Sequence, residues 1–105
     1  MALAYLMLKG YRPLARRFGG KGGEIDLIVK RGRAVVFVEV KARHDLQTAA
    51  EAIGPGKHRL FTRAAAHWLT RNPWAQACTL RADAVLIARG RWPVHIVAAF
   101  NLPIG

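Results

Sequence analysis

Cys78 is the one cysteine in 105 residues. That excludes an internal disulfide and any cysteine-based zinc finger, and it accords with a reducing, cytoplasmic setting. Acids are scarce as well. Six aspartates and glutamates face seventeen lysines and arginines, a formal charge of +11. Long hydrophobic runs are missing: nowhere do the roughly 20 apolar residues of a bilayer span occur together. The most apolar stretch, Trp92 to Ile104, is interrupted by Pro93, His95, Asn101 and Pro103. The opening MALAYLMLKG has no basic region ahead of its short apolar run and no small-residue cleavage site after it, so it is expected to be mature structure, not a signal peptide. There is no internal repeat, no low-complexity segment and no dividing linker. A single domain over residues 1–105 is the expectation.

What is present is enough for a core. Hydrophobic residues make up 52% and aromatics 9%, which argues against disorder. The cationic excess calls for a polyanionic partner, nucleic acid before any other. A membrane surface is the poorer match, because the cations are spread along the chain and not gathered in a terminal block.

Residues 2–9 have the pattern of a short helix stopped by Gly10, and Tyr11 to Phe18 that of a strand, with Pro13 requiring an edge position. After the Gly19–Gly23 loop, Glu24 to Val29 and Ala34 to Lys41 form a hairpin across Lys30-Arg31-Gly32-Arg33. Thr48-Ala49-Ala50-Glu51 has the form of a capping box opening a helical turn. Pro55 starts a helix to about Arg71, with Leu60, Phe61, Ala64, Ala65, Trp68 and Leu69 on its apolar stripe. Arg59, Arg63, His67 and Arg71 form a second, basic stripe. Leu80 to Ala88 and Val94 to Phe100 complete the order αβββαββ.

Three of the six acids, Glu24, Asp26 and Glu39, lie within sixteen residues of apolar β-sequence. Burying carboxylates is costly unless they are paired or bind metal. Alternation puts Glu24, Asp26 and Ile28 on one face, and Val35, Phe37, Glu39 and Lys41 on one face of the next strand. A two-residue turn at Arg31-Gly32 would make Asp26 and Glu39 diagonal neighbours, roughly 7–8 Å apart at the backbone. The remaining face, Ile25, Leu27, Val36, Val38 and Val40, is wholly apolar. An acid followed on the adjacent strand by Glu-x-Lys suits phosphodiester cleavage. The carboxylates are hard ligands for Mg²⁺ or Mn²⁺, and the lysine can orient water or stabilise the pentavalent transition state. The alternative is a cross-strand salt bridge among Glu24, Glu39 and Lys41.

The stretch GEIDLIVKRGRAVVFVEVKAR resembles the signature of the YraN-like family of small bacterial proteins. That family is related in fold to the restriction-endonuclease-like, PD-(D/E)xK superfamily and to archaeal Holliday junction resolvases. The likeness extends over Leu6, Gly10-Tyr11, Leu14, Glu51-Ala52, Lys57, Leu60, Trp68-Leu69, Arg81 with Asp83, His95-Ile96 and Ala99-Phe100. The resemblance implies an α/β restriction-endonuclease-like core, with a mixed sheet flanked by helices. It matches Asp26, Glu39 and Lys41 to the catalytic motif, and it implies a metal held by Asp26, Glu39 and the main-chain carbonyl of Val40. Glu24 matches a further family glutamate, and Lys57 is an additional candidate able to reach a substrate phosphate. Relatives carry an asparagine where Arg17 stands, and a glutamate that would fall just before Met1.

The function expected from these residues is a Mg²⁺-dependent endonuclease-like activity on DNA, branched or structured DNA included. A non-catalytic nucleic-acid-binding module, or an interaction subunit of a DNA-processing complex, is the alternative. Lys21, Arg43, Arg59 and Arg63 are the candidate nucleic-acid contacts; a solvated helix face is the alternative for Arg59 and Arg63, and a flexible hairpin connection is the alternative for the loop that carries Lys21. Asp83 is expected to make a structural contact with Arg81, and Trp68 to lie in the core. Trp74 and Trp92 either stack on bases or cover core edges. A homodimer would supply the two sites needed to cut both strands.

With this charge, DNA affinity is expected to fall steeply between about 50 and 200 mM salt. The double substitution Arg59→Glu, Arg63→Glu is expected to weaken binding without altering base preference. Fluorescence anisotropy titrations at several NaCl concentrations check both, and a constant affinity over that range contradicts the reading.

Overall fold

The computed structural model describes residues 1–20, 22–51 and 55–103, and among them all side chains except those of residues 50, 51 and 55–57. Its elements are α1 (Ala2–Leu8), β1 (Arg12–Gly20), β2 (Gly23–Arg31), β3 (Ala34–Arg43), α2 (Leu46–Glu51), α3 (Pro55–Arg71), a 3-10 turn (Pro73–Ala77), β4 (Thr79–Ala88) and β5 (Val94–Ile96). The strands form one sheet in the order β1-β2-β3-β4-β5. All neighbours are antiparallel except β3 and β4, which run parallel over their whole lengths, from Ala34 beside Thr79 to Arg43 beside Ala88. The crossover between them carries α2 and α3, as a parallel connection requires. This is the mixed, helix-flanked α/β sheet expected from the sequence. Among the described residues no helix is long and apolar enough to cross a membrane.

Each face of the sheet has its own core. On one side Phe61, Ala64, Ala65, Trp68 and Leu69 of α3 close over Ile25, Ile28, Val35 and Phe37, with Phe37 edge-on to Trp68 at 5.7 Å. On the other, Ala2 and Leu6 of α1, with Tyr11, cover Leu27, Val29, Val36, Val38 and Val85. Both faces of β3 are therefore buried, which explains why Val35-Val36-Phe37-Val38 has no polar alternation. Trp68 lies in the core as its spacing implied.

Several expectations change in detail. The hairpin turns on Gly32-Arg33, with Arg31 opposite Ala34. Gly32 has φ +59°, at the first turn position where glycine is favoured. The register thus moves by two residues relative to a turn at Arg31-Gly32, with Lys30 opposite Val35, and keeps the same faces. Ile25 belongs with Ile28 on the α3 side, not with Leu27. Residues three apart can share a face only if the strand's two-residue period breaks, and it breaks at Asp26. On the neighbouring strand Arg17, which lies between the paired Arg16 and Phe18, has φ +51°. Pro13 does lie on an edge strand, beside an irregularity between Pro13 and Ala15.

Helix α2 is capped by Asp45, whose Oδ1 accepts the Thr48 N–H at 2.8 Å, so the capping residue is three positions earlier than the Thr48 box implied. That amide bond also holds the Asp45 carboxyl below its ordinary pKa. Strand β5 stops at Ile96 instead of Phe100. Ala98 turns at φ +52°, with its N–H captured by Asp83. His67 departs from the basic stripe: it stacks on Phe18 of β1 at 5.8 Å.

The β1–β2 turn packs tightly on α3. A Cβ on Gly23 would stand 2.1 Å from the Leu60 carbonyl oxygen, a backbone atom that cannot swing aside. Gly23→Ala is therefore expected to destabilise the fold by about 1–3 kcal/mol. Urea unfolding would read this as a lower midpoint with little change in slope.

Candidate active site

The candidate centre lies where β2 and β3 part. Their pairing runs from Arg31–Ala34 to Leu27–Val38 and goes no further. One more step would set Asp26 directly opposite Glu39, closer than the diagonal relation expected. Instead the Asp26 side chain occupies the seam: its Oδ2 accepts the Val40 N–H at 2.8 Å. A carboxylate has thus replaced the ladder partner of this amide. In an extended strand the N–H and C=O of one residue point to the same side, so the Val40 carbonyl also faces the seam. Glu39 and Lys41 flank Val40 and are joined by an ion pair of 2.9 Å, both side chains mostly shielded. Asp26 and Val40 are therefore tied together by a local opening of the ladder, not by regular alternation, whereas Glu39 and Lys41 alternate along β3 onto the Phe37 side, away from the recess that Asp26 and Val40 line.

Two features shape the mouth of this seam. Toward α1 it opens into a recess of about 340 Å³ whose walls include Met1, Leu3, Arg16, Arg17, Asp26 and Val40. Arg17, facing Asp26 across β1 and β2, holds a left-handed backbone that costs a non-glycine residue of order 1–3 kcal/mol. Asparagine tolerates this conformation better than arginine. The departure at Arg17 is therefore a backbone feature of the site's rim.

The other candidates are placed separately. Glu24 is exposed beside Gly19. Arg43 ends β3, exposed, its guanidinium on the neighbouring Ala42 carbonyl. Arg59 and Arg63 are exposed on α3, which covers the sheet face opposite α1 and the Asp26 recess. Lys21 and the Lys57 side chain lie outside the described residues. Among the described residues no three histidine, cysteine or acidic side chains converge as a metal-binding group. The seam itself offers the Asp26 carboxylate and the Val40 carbonyl, with the Glu39 carboxylate next along β3, and all of these donors are oxygen. Such a set fits Mg²⁺ or Mn²⁺, which retain waters and share substrate phosphates, and would not suit zinc in a closed site.

A second polar cluster sits on the far half of the sheet. Asp83 is fully buried. Arg81 grips it twice at 2.8 Å, His95 Nε2 lies at 2.6 Å, and Ala98 donates its N–H at 2.9 Å. Arg81 also donates to the Tyr11 hydroxyl at 2.7 Å, and His95 Nδ1 meets Lys9 Nζ at 2.6 Å. The expected Arg81 contact is there. The roles of His95 and Tyr11 were not legible from sequence, since partners 12 and 70 residues away leave no periodic signal. Burial alone would raise the Asp83 pKa, but the bonds from Arg81, Ala98 and His95 outweigh it and hold the carboxyl below its ordinary value.

A buried acid in an α/β sheet with one parallel pair, and an Asp facing Glu-x-Lys at the seam of two strands, together define a fold consistent with the restriction-endonuclease-like class. The model of the "Uncharacterised protein family UPF0102" matches residues 1–87. This chain belongs to that family, the YraN family that its motif resembles. It is 59% identical over 102 residues to a UPF0102 protein of Methylobacterium nodulans, covering 97% of this chain and 79% of that one. It is 60% identical to one of Methylorubrum extorquens, with 97% and 80% covered. A UPF0102 protein of Parvibaculum lavamentivorans is 51% identical over 101 residues, with 96% and 76% covered.

Because the Asp83 carboxyl is depressed, its contribution to stability is present at neutral pH and is lost as pH falls below about 4, through its folded-state value. Asp83→Asn is expected to cost about 3 kcal/mol at pH 7, since Arg81 then keeps an uncompensated charge. It should also flatten the acid limb of stability against pH. Chemical denaturation of both proteins from pH 7 to pH 3 checks the magnitude and the sign.

Proposed function

We infer that this chain is a divalent-metal-dependent endonuclease-like protein acting on DNA. The observation that carries the reading is the Asp26 carboxylate bonded at 2.8 Å to the amide between Glu39 and Lys41, which are themselves 2.9 Å apart. Asp26, Glu39 and the Val40 carbonyl would hold Mg²⁺ or Mn²⁺. When bound, such an ion lowers the pKa of a water and neutralises charge on the scissile phosphate. The Val40 amide fixes one oxygen of Asp26, leaving the other to face a ligand. Glu39 holds the Lys41 ammonium beside the seam, where it can orient a water or stabilise charge building on the phosphate. The +11 charge raises the local concentration of a polyanion around this otherwise acidic spot.

The second reading, a nucleic-acid-binding module without catalysis, draws on one observation: Glu39 and Lys41 already neutralise one another. The two readings separate in an assay of plasmid, single-stranded and four-way-junction DNA with Mg²⁺, with Mn²⁺ and with chelator. Cleavage is expected with either ion and none with chelator. Asp26→Asn is expected to lower cleavage by at least roughly 10²-fold while the protein stays folded, because an asparagine oxygen still accepts the Val40 N–H. Lys41→Ala should keep metal binding, read as a shift in melting temperature, and lose turnover. No cleavage of any substrate with either ion, alongside intact DNA binding, leaves the binding module as the account.

A further inference from the structure

The carboxyl ends of the parallel pair β3 and β4 carry a second recess, of about 820 Å³. Its walls come from Ala42 to His44 and from Ile87 to Pro93, with Met1 at one side. Three of these side chains are guanidiniums, Arg43, Arg89 and Arg91, and His44 adds a fourth basic group; among the described residues of the wall none is acidic. Outside the wall, the His44 ring meets Asp45 at 2.9 Å. The recess shares Met1 and Ile87 with the smaller recess at Asp26, so the two adjoin on the α1 side of the sheet. Arg43 lies four residues beyond Glu39 on one strand, about 13 Å along it.

Trp92 stands in this wall and is 79% exposed. Trp74, by contrast, rests edge-on against Trp68 at 6.0 Å and covers the core edge. Trp92 has no such duty. The preceding turn, with Gly90 at φ +72°, presents Arg89, Arg91 and the indole together. An aromatic face left in water among guanidiniums is the arrangement that binds a nucleobase and its flanking phosphates. Bases inside a duplex have both faces stacked on neighbours, so an indole can take only a base that is unpaired, flipped or terminal.

The geometry points to this recess as a binding site for an unpaired nucleotide of the DNA strand, with Trp92 stacking on the base and Arg43, Arg89 and Arg91 on the phosphates. The inference rests on the DNA-acting reading above and narrows it: the strand entering the seam is single-stranded or locally opened. Trp92 and the arginines are then binding residues, separate from Asp26, Glu39 and Lys41.

The test measures binding without divalent ions, so its result does not depend on cleavage. Fluorescence anisotropy would follow a labelled 12-nucleotide thymidine strand and a blunt 12-base-pair duplex at two salt concentrations. Trp92→Ala is expected to lose about tenfold in affinity for the strand and less than twofold for the duplex, with unchanged melting temperature. Trp92→Phe should recover most of the loss, and more of the difference should persist at high salt, because stacking is not screened. Arg89→Glu with Arg91→Glu should weaken strand and duplex alike. Equal loss for strand and duplex on Trp92→Ala, or no loss for either, overturns the inference. A Trp92-dependent strand preference in a protein that cuts no DNA upholds the inference and removes the nuclease reading. Cleavage with no Trp92-dependent preference does the reverse.

Discussion

A carboxylate wholly withdrawn from water organises the half of the sheet that the hairpin does not reach. Asp83 sits on β4 with an arginine on two of its bonds, an imidazole on another and a main-chain amide on the last. Alone, a buried carboxylate would cost several kcal/mol; paired and fully hydrogen-bonded, it becomes a fixed point. Its partners belong to different parts of the chain. Arg81 carries the contact to Tyr11 after α1, His95 carries it to Lys9, and Ala98 lies in the turn that follows β5. The guanidinium of Arg31 lies 4.5 Å over the Tyr11 ring, which brings in the end of β2. The position of α1 over its sheet face, and so the wall of both recesses at Met1, follows from this cluster.

The hairpin obeys a different constraint. Regular pairing satisfies every backbone group but leaves no gap for a ligand. At Asp26 the ladder gives way, the strand changes face, and the opposite residue Arg17 takes a left-handed backbone. The side chain of Asp26 makes good the lost bond by accepting the Val40 amide, so the opening leaves no orphaned donor there. Backbone strain and a carboxylate in place of a ladder bond thus occur at one spot. That spot is the one where the sequence gathers its acids.

Charge sorts the remaining surface. Exposed cations occur on α3, at the end of β3 and in the β4–β5 turn, whereas Glu39 and Asp83 are shielded and ion-paired. The molecule is then attractive to a polyanion over much of its surface. Specific placement has to come from the seam and its adjoining recess, since a general positive field carries no geometry.

Periodicity and composition were enough for the elements of the chain, because helix stripes such as Phe61, Ala64, Ala65 and Trp68, and β-branched runs such as Val35-Val36, are local signals. The motif Glu-x-Lys on β3, the acid on β2, the edge position of Pro13 and the burial of Trp68 are local in the same sense. Other features depended on contacts between distant segments. The two-residue register shift of the hairpin followed from which turn position Gly32 occupied. The face change at Asp26 followed from Ile25 and Phe18 both packing under α3, against the alternation their own strands would keep. The early end of β5 followed from Asp83 capturing the Ala98 amide, and His67 left its basic stripe because Phe18 lay within stacking reach. Sequence by itself determined which segments would be helix and strand and which residue types could hold a metal, since propensity and alternation act between near neighbours. Only the tertiary structure decided where the ladder opens and what surrounds Trp92, because those depend on segments meeting across tens of residues.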